Sequence, residues 1–442
     1  MLNNWQLQQN EIQKIKNLSG IYSGLLSNEI YYTQGSNFGS KMNVFTAGLP
    51  NYEKYVSSPK AEINYHLCGY GNNFIDGISR LGGESVERTA GVIAQKYLSC
   101  RIFNSSYSEI SSSVIHKKYL SPYTENQLKS ISKLRSDFAT SYFNVNEKID
   151  WIKALSLYNP ENNFIVPAHY FLFGIPYNKR RFLSVSTGTA AHTTFKKALL
   201  NSIIEYIQID DFMSTWYSNK KVNAFWLSEL NDKKVKAEIN SLMGILIDSY
   251  NVLFLDYSEF AAVPVYVFGV FMISKKGSSI PAICFGLQGG LNKQETIYRA
   301  FCECLANKEM SESNFIESGD FSNVNPSQVV DFDKNVEFFA DPKNYNKNKE
   351  YIYSRIIFNK EKNLGKSQDY ISSLSELIIK LEKVAPEACF LDITPPFINN
   401  YRVVRTFIPE FLGMTFPSFP QLNHPKLKGE NNNYECYIHP MP

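Results

Sequence analysis

The stretch from Thr193 to Tyr217 reads TTFKKALLNSIIEYIQIDDFMSTWY and carries the most regular pattern in the sequence. Its apolar residues recur at spacings of three and four, which predicts one long helix with a buried face. That face consists of Phe195, Ala198, Leu199, Ile203, Ile204, Ile207, Phe212 and Trp216. Thr193 or Thr194 is a suitable cap for its first turn. Trp216 and Tyr217 continue the apolar face, so we interpret them as core residues.

The other side of this helix is polar. Its polar residues step by three along one stripe, as residues on one helix face do. They are Ser202, Glu205, Gln208 and Asp211.

The remaining chain mixes helical and strand-like segments without a repeat. Helical spacing or composition predicts helices at 84–98, 123–157, 292–307 and 372–384. Apolar runs predict strands at 164–173, 252–257, 263–273, 280–287, 388–393 and 402–408. We expect a long surface excursion at 314–349 and an extended, Pro-rich tail at 409–442. Because strands and helices alternate irregularly, the predicted fold class is α+β, with mixed sheets packed with helices.

Composition excludes several classes of protein. The 442 residues include 45 Lys and Arg against 42 Asp and Glu, a net charge of +3 that does not suggest nucleic acid as a main partner. The longest apolar stretch, 260–273, is too short to span a membrane and predicts a buried pair of strands. Seven cysteines are scattered without a CxxC motif, and no basic start is followed by an apolar signal region. We therefore expect reduced thiols and a cytoplasmic protein.

Three predicted helices each present acidic residues at helical spacing. Glu84 and Glu87 are followed by Arg88, Glu205 stands three residues before Gln208, and Glu303 stands four residues after Arg299. Spacings of three and four place each set on one helix face. Such sets are also ordinary on solvated helix surfaces. The sequence has no Walker loop, HExxH or GxSxG motif.

The sequence around these residues resembles that of the YcaO superfamily. The segment Gly82 to Arg88, GGESVER, is similar to the ExxER helix of that family. The segment 186–192, STGTAAH, with the helix that carries Glu205 and its acidic-aromatic end 209–212, looks like the family's second nucleotide-binding segment. Arg299 to Glu303 is similar to its third helix. Segments 392–395, 403–405 and 439–442, with Pro409, resemble the closing section of the subgroup that forms azolines in peptides such as streptolysin S-like cytolysins and microcins.

The resemblance implies an ATP-dependent, azoline-forming peptide cyclodehydratase with a YcaO-type fold over 61–442, and a segment 1–60 that docks a partner. Cys, Ser or Thr of a ribosomally made precursor peptide would become thiazoline or oxazoline. The implied partners are a leader-binding protein resembling ubiquitin-activating enzymes and a flavin-dependent dehydrogenase.

The resemblance also implies the functional residues. The Mg²⁺ ligands would be Glu84, Glu87, Glu205 and Glu303, since Mg²⁺ prefers oxygen ligands and can hold a triphosphate. Further contacts to ATP would come from Arg88, Ser186, Gln208 and Arg299. The Pro442 carboxylate would enter the active site and act as a catalytic base.

Several positions depart from the superfamily pattern: Arg80, Thr193, Lys197, Gln208 and Ala306. Lys197 could contact phosphate directly or mark a weakened site, and His192 could orient phosphate or be structural. The departures keep open a catalytically silent scaffold subunit. A thioamide-forming enzyme of the same family is a further alternative, against which the Pro-x-Pro end argues.

Overall fold

The structure is a computed structural model that describes residues 30–34, 39–51, 66–110, 113–173, 180–181, 183–218, 220–359, 369–428 and 437–441, with the isolated positions 9, 13, 18, 25 and 26. Cys436 and Pro442 lie outside the described residues. The six described cysteines are free thiols. Among the described residues, no helix is both long and apolar enough to cross a membrane.

The described residues form fourteen strands and eight α-helices. The strands are β1 (Ile30–Gln34), β2 (Asn43–Gly48), β3 (His66–Gly71), β4 (Ile102–Ser106), β5 (Lys148–Ser156), β6 (Asn163–Pro167), β7 (Thr189–His192), β8 (Val222–Trp226), β9 (Tyr250–Asp256), β10 (Tyr266–Ser274), β11 (Ile283–Gly290), β12 (Ile356–Phe358), β13 (Cys389–Asp392) and β14 (Arg402–Phe407). The helices are α1 (Phe74–Tyr97), α2 (Glu125–Leu134), α3 (Phe195–Trp216), α4 (Lys233–Met243), α5 (Lys293–Ser318), α6 (Phe332–Ala340), α7 (Tyr345–Ser354) and α8 (Leu374–Glu382).

The strands form three sheets. A small antiparallel sheet has the order β1-β2-β3, and a larger one has the order β11-β10-β9-β8-β12, in which only β12 runs parallel to its neighbour. The third sheet has the order β4-β5-β13-β14-β7, with β6 paired to β5. The predicted α+β class is confirmed.

Three helices connect the sheets. Helix α1 packs on β3 and β7, α3 packs on β14, β7 and β11, and α5 packs on β11, β10 and β3. Close approach of α1 to β3 depends on glycine, because a Cβ at Gly69 would lie 2.2 Å from the Gly77 carbonyl oxygen. Each pair of these helices therefore shares a strand: α1 and α3 share β7, α3 and α5 share β11, and α1 and α5 share β3.

Helix α3 matches its prediction within two residues at each end, and Trp216 and Tyr217 are buried. Helix α1 begins ten residues earlier than predicted, at Phe74, with Asn73 as its cap. Gly77, Gly82 and Gly83 weaken the helical pattern of its first half. Packing against β2 and β3 holds this half in place.

The predicted helix at 123–157 is wrong beyond Leu134. Residues 148–156 form β5, in which Ile149 and Trp151 are buried and Lys148 is exposed. This alternation with a period of two is typical of a strand.

The apolar stretch 260–273 is not a pair of strands. It contains the end of a short 3₁₀ turn (Ser258–Phe260) and most of the single strand β10. The strand lies between β9 and β11 and is covered by α5, so both its faces are buried.

The predicted surface excursion at 314–349 is also wrong. It contains the end of α5, α6 and the start of α7. Asn335, Phe338 and Phe339 of α6 are buried. Asp331 and Asp341 cap helical segments: Asp331 Oδ1 accepts the Asp333 N–H, and Asp341 Oδ1 the Lys343 N–H, each at 2.9 Å.

The segment after β14 wraps back onto α3. Asp210, which is fully buried, accepts the Leu412 N–H at 2.8 Å through one oxygen and pairs with the Lys426 ammonium through the other. Farther along, Trp216 Nε1 donates to the Tyr437 carbonyl oxygen at 3.1 Å. These contacts make the segment a wall of the core.

Lys426→Met should lower the free energy of unfolding by about 3 kcal/mol, because it leaves the buried Asp210 carboxylate without its cation. Urea denaturation measures the change, and Lys428→Met, at an exposed position, is the matched control. Equal midpoints for the two variants would contradict the stabilising role of this pair.

Candidate functional site

Helix α1 presents Glu84, Glu87 and Arg88 on one face. The Cys68 N–H of β3 donates to Glu84 Oε2 at 2.8 Å. Arg88 lies between the two carboxylates, with Nη2 3.3 Å from Glu84 Oε1 and Nη1 3.8 Å from Glu87 Oε1. The Ala191 N–H of β7 hydrogen-bonds to Glu87. Glu84 and Glu87 are therefore each oriented by a backbone donor from a different sheet.

Glu205 of α3 lies among these charges. Burial raises its pKa well above the ordinary value, and the nearby Glu87 raises it further, while Arg88 and Arg405 act in the opposite direction. Burial likewise raises the pKa of Glu87 to about 7, against the effect of Arg88. Glu205 also interacts with Glu303. The carboxylates predicted from the sequence on three helices thus face one region, which we call the acidic cluster (Glu84, Glu87, Glu205 and Glu303).

Glu303 of α5 is held by β11. Gln288 Nε2 donates to Glu303 Oε2 at 2.6 Å. Burial raises the pKa of Glu303 to about 7, and the Gln288 hydrogen bond and Arg299 oppose this rise. Arg299 also lies 3.9 Å from the Glu295 carboxylate.

Gln208 makes a structural contact that the helical spacing of the sequence does not reveal. Its Oε1 accepts the Gly289 N–H at 2.6 Å, which joins α3 to β11. A Cβ at Gly289 would lie 2.8 Å from Ile204 Cγ2, so this approach depends on glycine. One lone pair of the side-chain carbonyl is therefore used, and its second lone pair and the amide N–H groups of Gln208 are left to reach a ligand.

Two arginines of the site had no predicted role. Arg405 of β14 is buried, and its charge acts on Glu205 and Glu87. The Arg80 guanidinium of α1 lies 5.0 Å from the Tyr70 ring centre and lowers the pKa of Glu303. Arg405 is the charged residue in the otherwise apolar strand sequence VVRTF. An arginine is rarely buried without partners, so this position could have been recognised from the sequence as a candidate for the site.

Other predicted residues are not brought to the acidic cluster by any described contact. Ser186 lies in the turn before β7, where its carbonyl accepts the Thr189 N–H at 2.8 Å. His192 Nδ1 lies 3.2 Å from Thr193 Oγ1, and burial and Lys197 lower the pKa of His192. Ala306 is buried in the core, three residues after Glu303 on the same helix. Pro442, the predicted base, lies outside the described residues.

The donor set of the acidic cluster fits Mg²⁺ together with phosphate oxygens. In the described part of the chain, no group of three or more His, Cys, Asp or Glu side chains is compact enough to hold a metal alone. The pKa values of Glu87, Glu205 and Glu303 are raised because the effect of burial exceeds that of the nearby arginines, so a bound cation would stabilise the ionised carboxylates. Carboxylates that share Mg²⁺ with substrate phosphates are the usual arrangement for that ion.

Comparison with known proteins agrees with this fit. Residues 69–412 match a family model described as YcaO cyclodehydratase, ATP- and Mg²⁺-binding. ATP and Mg²⁺ are the cofactors that the resemblance implied. No curated protein matches the sequence.

Solved structures show the same fold at low sequence identity. A heterocyclase in complex with substrate and cofactor has a TM-score of 0.67 at 17% identity, over 92% of this chain and 52% of that one. The chain thus spans about half of that heterocyclase. YcaO from Methanopyrus kandleri bound with AMPPCP and Mg²⁺ has a TM-score of 0.61 at 13% identity, over 93% and 91% of the two chains. A chain of the E. coli microcin synthetase McbBCD complex with pro-MccB17 bound has a TM-score of 0.64 at 13% identity, over 96% and 99%.

Glu303→Gln should raise the free energy of unfolding of the metal-free chain at about pH 8 by ~1–2 kcal/mol, since one unit of pKa shift is worth ~1.4 kcal/mol. The pKa of Glu303 is raised to about 7 in the folded chain. The folded state therefore holds the proton more tightly than the unfolded state, so wild-type stability falls as pH rises toward 7.

Urea denaturation in EDTA at about pH 4 and about pH 8 measures this difference. The variant and the wild type should agree at the lower pH and differ at the higher one. Glu317→Gln, at an exposed position on the same helix, is the control. A stability difference that is equal at both pH values would disprove the assignment.

Proposed function

The chain belongs to the YcaO cyclodehydratase family, and on this premise we propose that it is the ATP-dependent subunit of an azoline-forming peptide synthetase. The proposal rests above all on the acidic cluster, in which carboxylates of α1, α3 and α5 interact electrostatically and are interspersed with arginines. The substrate is a ribosomally made precursor peptide whose Cys, Ser or Thr residues become thiazoline or oxazoline.

The proposed reaction balances as follows. The substrate thiol or hydroxyl adds to the preceding amide carbonyl and loses its proton, and the former carbonyl oxygen takes the γ-phosphoryl group while ADP leaves. Loss of that phosphate, with the amide proton, then forms the C=N bond of the ring. ATP supplies the phosphoryl group and Mg²⁺ neutralises its charge.

The chain's own residues bind and orient these groups. Glu84, Glu87, Glu205 and Glu303 would hold Mg²⁺, since carboxylate oxygens are the ligands this ion prefers. Arg88 and Arg299, four residues from Glu84 and Glu303 respectively, donate to phosphate oxygens with their forked N–H groups. The Ser186 hydroxyl and the Gln208 amide N–H remain proposed contacts to the nucleotide.

The silent-scaffold alternative gains no support from the departure at Gln208. The side-chain carbonyl of Gln208 accepts the Gly289 N–H, which is a structural role. The four proposed metal ligands are all present. We therefore favour the enzyme over the scaffold.

We propose a partner that captures the precursor's leader, a flavin-dependent dehydrogenase that acts on the product, and a cytoplasmic location. The segment 1–60 is proposed as the docking region, and 61–442 as the ATP-binding fold. Strand β1 pairs with β2, both in the first of these regions, and β2 pairs with β3 of the second. A partner that docks on the free edge of β1 would therefore be separated by β1 and β2 from β3, whose Cys68 N–H orients Glu84.

Assayed alone, the chain should form azolines at least about 100-fold more slowly than with its leader-binding partner, because the partner positions the substrate. Mass spectrometry detects each cyclisation as the loss of one water from the precursor. Glu84→Gln should abolish both this loss and the accompanying ATP hydrolysis. Hydrolysis without any loss of water in the wild-type complex would refute the proposed function, as would full activity of the variant.

Nucleotide binding should require Mg²⁺, since carboxylates repel phosphates unless a cation lies between them. Calorimetry should show ATP binding with Mg²⁺, none in EDTA, and at least about tenfold weaker binding to Glu205→Ala. Glu350→Ala, at an exposed position on α7, should bind like the wild type. Undiminished affinity of Glu205→Ala would remove Glu205 from the site.

A further inference from the structure

Arg405 of β14 is a buried arginine that holds two loops. The residue is only 3% exposed. Its Nε donates to the Tyr170 carbonyl at 2.7 Å, Nη1 to Thr189 Oγ1 at 2.8 Å, and Nη2 to the Val185 carbonyl. All three acceptors are neutral oxygens that lie outside β14. The guanidinium therefore joins this strand to the 3₁₀ turn Ala168–Tyr170 and to the chain before β7.

Two of these acceptors lie at the two ends of one turn. Residues 186–189 form this turn, and the Thr189 N–H closes it by donating to the Ser186 carbonyl at 2.8 Å. Val185 comes directly before the turn, and Thr189 is its last residue. Arg405 thus holds the chain on both sides of the turn 186–189.

The next residue of β14 fixes the middle of the turn. The Thr406 N–H donates to the Gly188 carbonyl at 2.7 Å, and Thr406 Oγ1 lies 2.6 Å from Ser202 Oγ of α3. Gly188 has a φ of +79°, and a Cβ there would lie 2.5 Å from the Thr406 carbonyl oxygen. This position therefore requires glycine. These contacts fix the turn relative to α3, the helix that carries Glu205.

The turn leads directly to the acidic cluster. Thr189 begins β7, and two residues later the Ala191 N–H hydrogen-bonds to Glu87. Two residues of a strand span about 7 Å, so the end of the turn lies close to a donor of the cluster. Ser186 is half-buried, whereas Arg405 is enclosed. A ligand at the cluster would therefore meet the turn more readily than the arginine behind it.

We propose that Arg405 is a positioning residue for the nucleotide. By holding both ends of the turn, it keeps Ser186 where that residue meets ATP bound with Mg²⁺ at the acidic cluster. This inference rests on the proposed function, which names Ser186 as a nucleotide contact, and adds the residue that fixes its place. The bonds of Arg405 to neutral oxygens carry this role, and its charge alone does not.

Arg405→Lys separates the bonds from the charge. Lysine keeps the positive charge, but its single ammonium cannot join Val185 and Thr189 as the forked guanidinium does. Calorimetry on the full chain with Mg²⁺ should show ATP binding about tenfold weaker than in the wild type. In the complex with the leader-binding partner, KM for ATP should rise by about tenfold while kcat stays within about twofold. A variant that is merely destabilised would instead lose kcat and the number of binding sites.

Thr189→Val is a milder test, because the two side chains have nearly the same size. It removes only the acceptor of Nη1 and should weaken ATP binding by about threefold. The double variant should bind no more weakly than Arg405→Lys alone, since both changes break the same bond. Arg402→Lys, at the exposed start of β14, is the control and should bind like the wild type. Circular dichroism verifies folding, and Thr189→Val carries the test if Arg405→Lys does not fold.

Three results would overturn the inference. The first is wild-type affinity for ATP in the folded Arg405→Lys variant, which would leave only a role for charge. The second is wild-type affinity in Thr189→Val, and the third is additive losses in the double variant, which would show that the two residues act separately. Failure of the proposed function is a different result. It would appear as a wild-type complex that forms no azoline, whatever the variants bind.

Discussion

The arrangement of this protein depends on holding partly buried carboxylates of like charge near one another. Burial and mutual repulsion both favour the neutral forms of Glu87 and Glu205. A strand donor offsets part of this cost in several places: the Cys68 N–H serves Glu84, the Ala191 N–H serves Glu87, and Gln288 serves Glu303. These donors come from β3, β7 and β11, one strand from each sheet. The three sheets are therefore needed to position one small cluster of oxygens.

Arg405 links this cluster to the rest of the fold. Its guanidinium joins the turn after β6 to the loop before β7, and it lies 4.3 Å from the centre of the Phe173 ring. It also supplies positive charge beside Glu205. The same guanidinium group holds these two loops and balances the charge of the carboxylates. A substitution of Arg405 would therefore change both the loop packing and the charge of the site.

The sequence predicted what depends on local periodicity. Helix α3 has an unbroken apolar spacing, so its limits were predicted within two residues. Strand β5 was missed, because its period of two is short and follows a helical segment rich in Lys and Ser. The four carboxylates were named from helical spacing together with the family resemblance. The hydrogen bond from Gly289 to Gln208 and the place of Arg405 join residues distant in sequence, so no local pattern could reveal them.

Helices α1 and α5 each carry an acidic and a basic residue on the same face, which explains how phosphate could be bound here without a Walker loop. A Walker loop offers backbone N–H groups directly to phosphate oxygens, whereas carboxylates bind phosphate only through a cation. In α1, Arg88 follows Glu84 by four residues, and in α5, Glu303 follows Arg299 by four, so each helix carries both signs on one face. One rigid face can then hold a metal ion and a phosphate oxygen side by side. Since the distance between the two groups is set by the helix itself, the proposed phosphoryl transfer would depend on how the helices pack against one another.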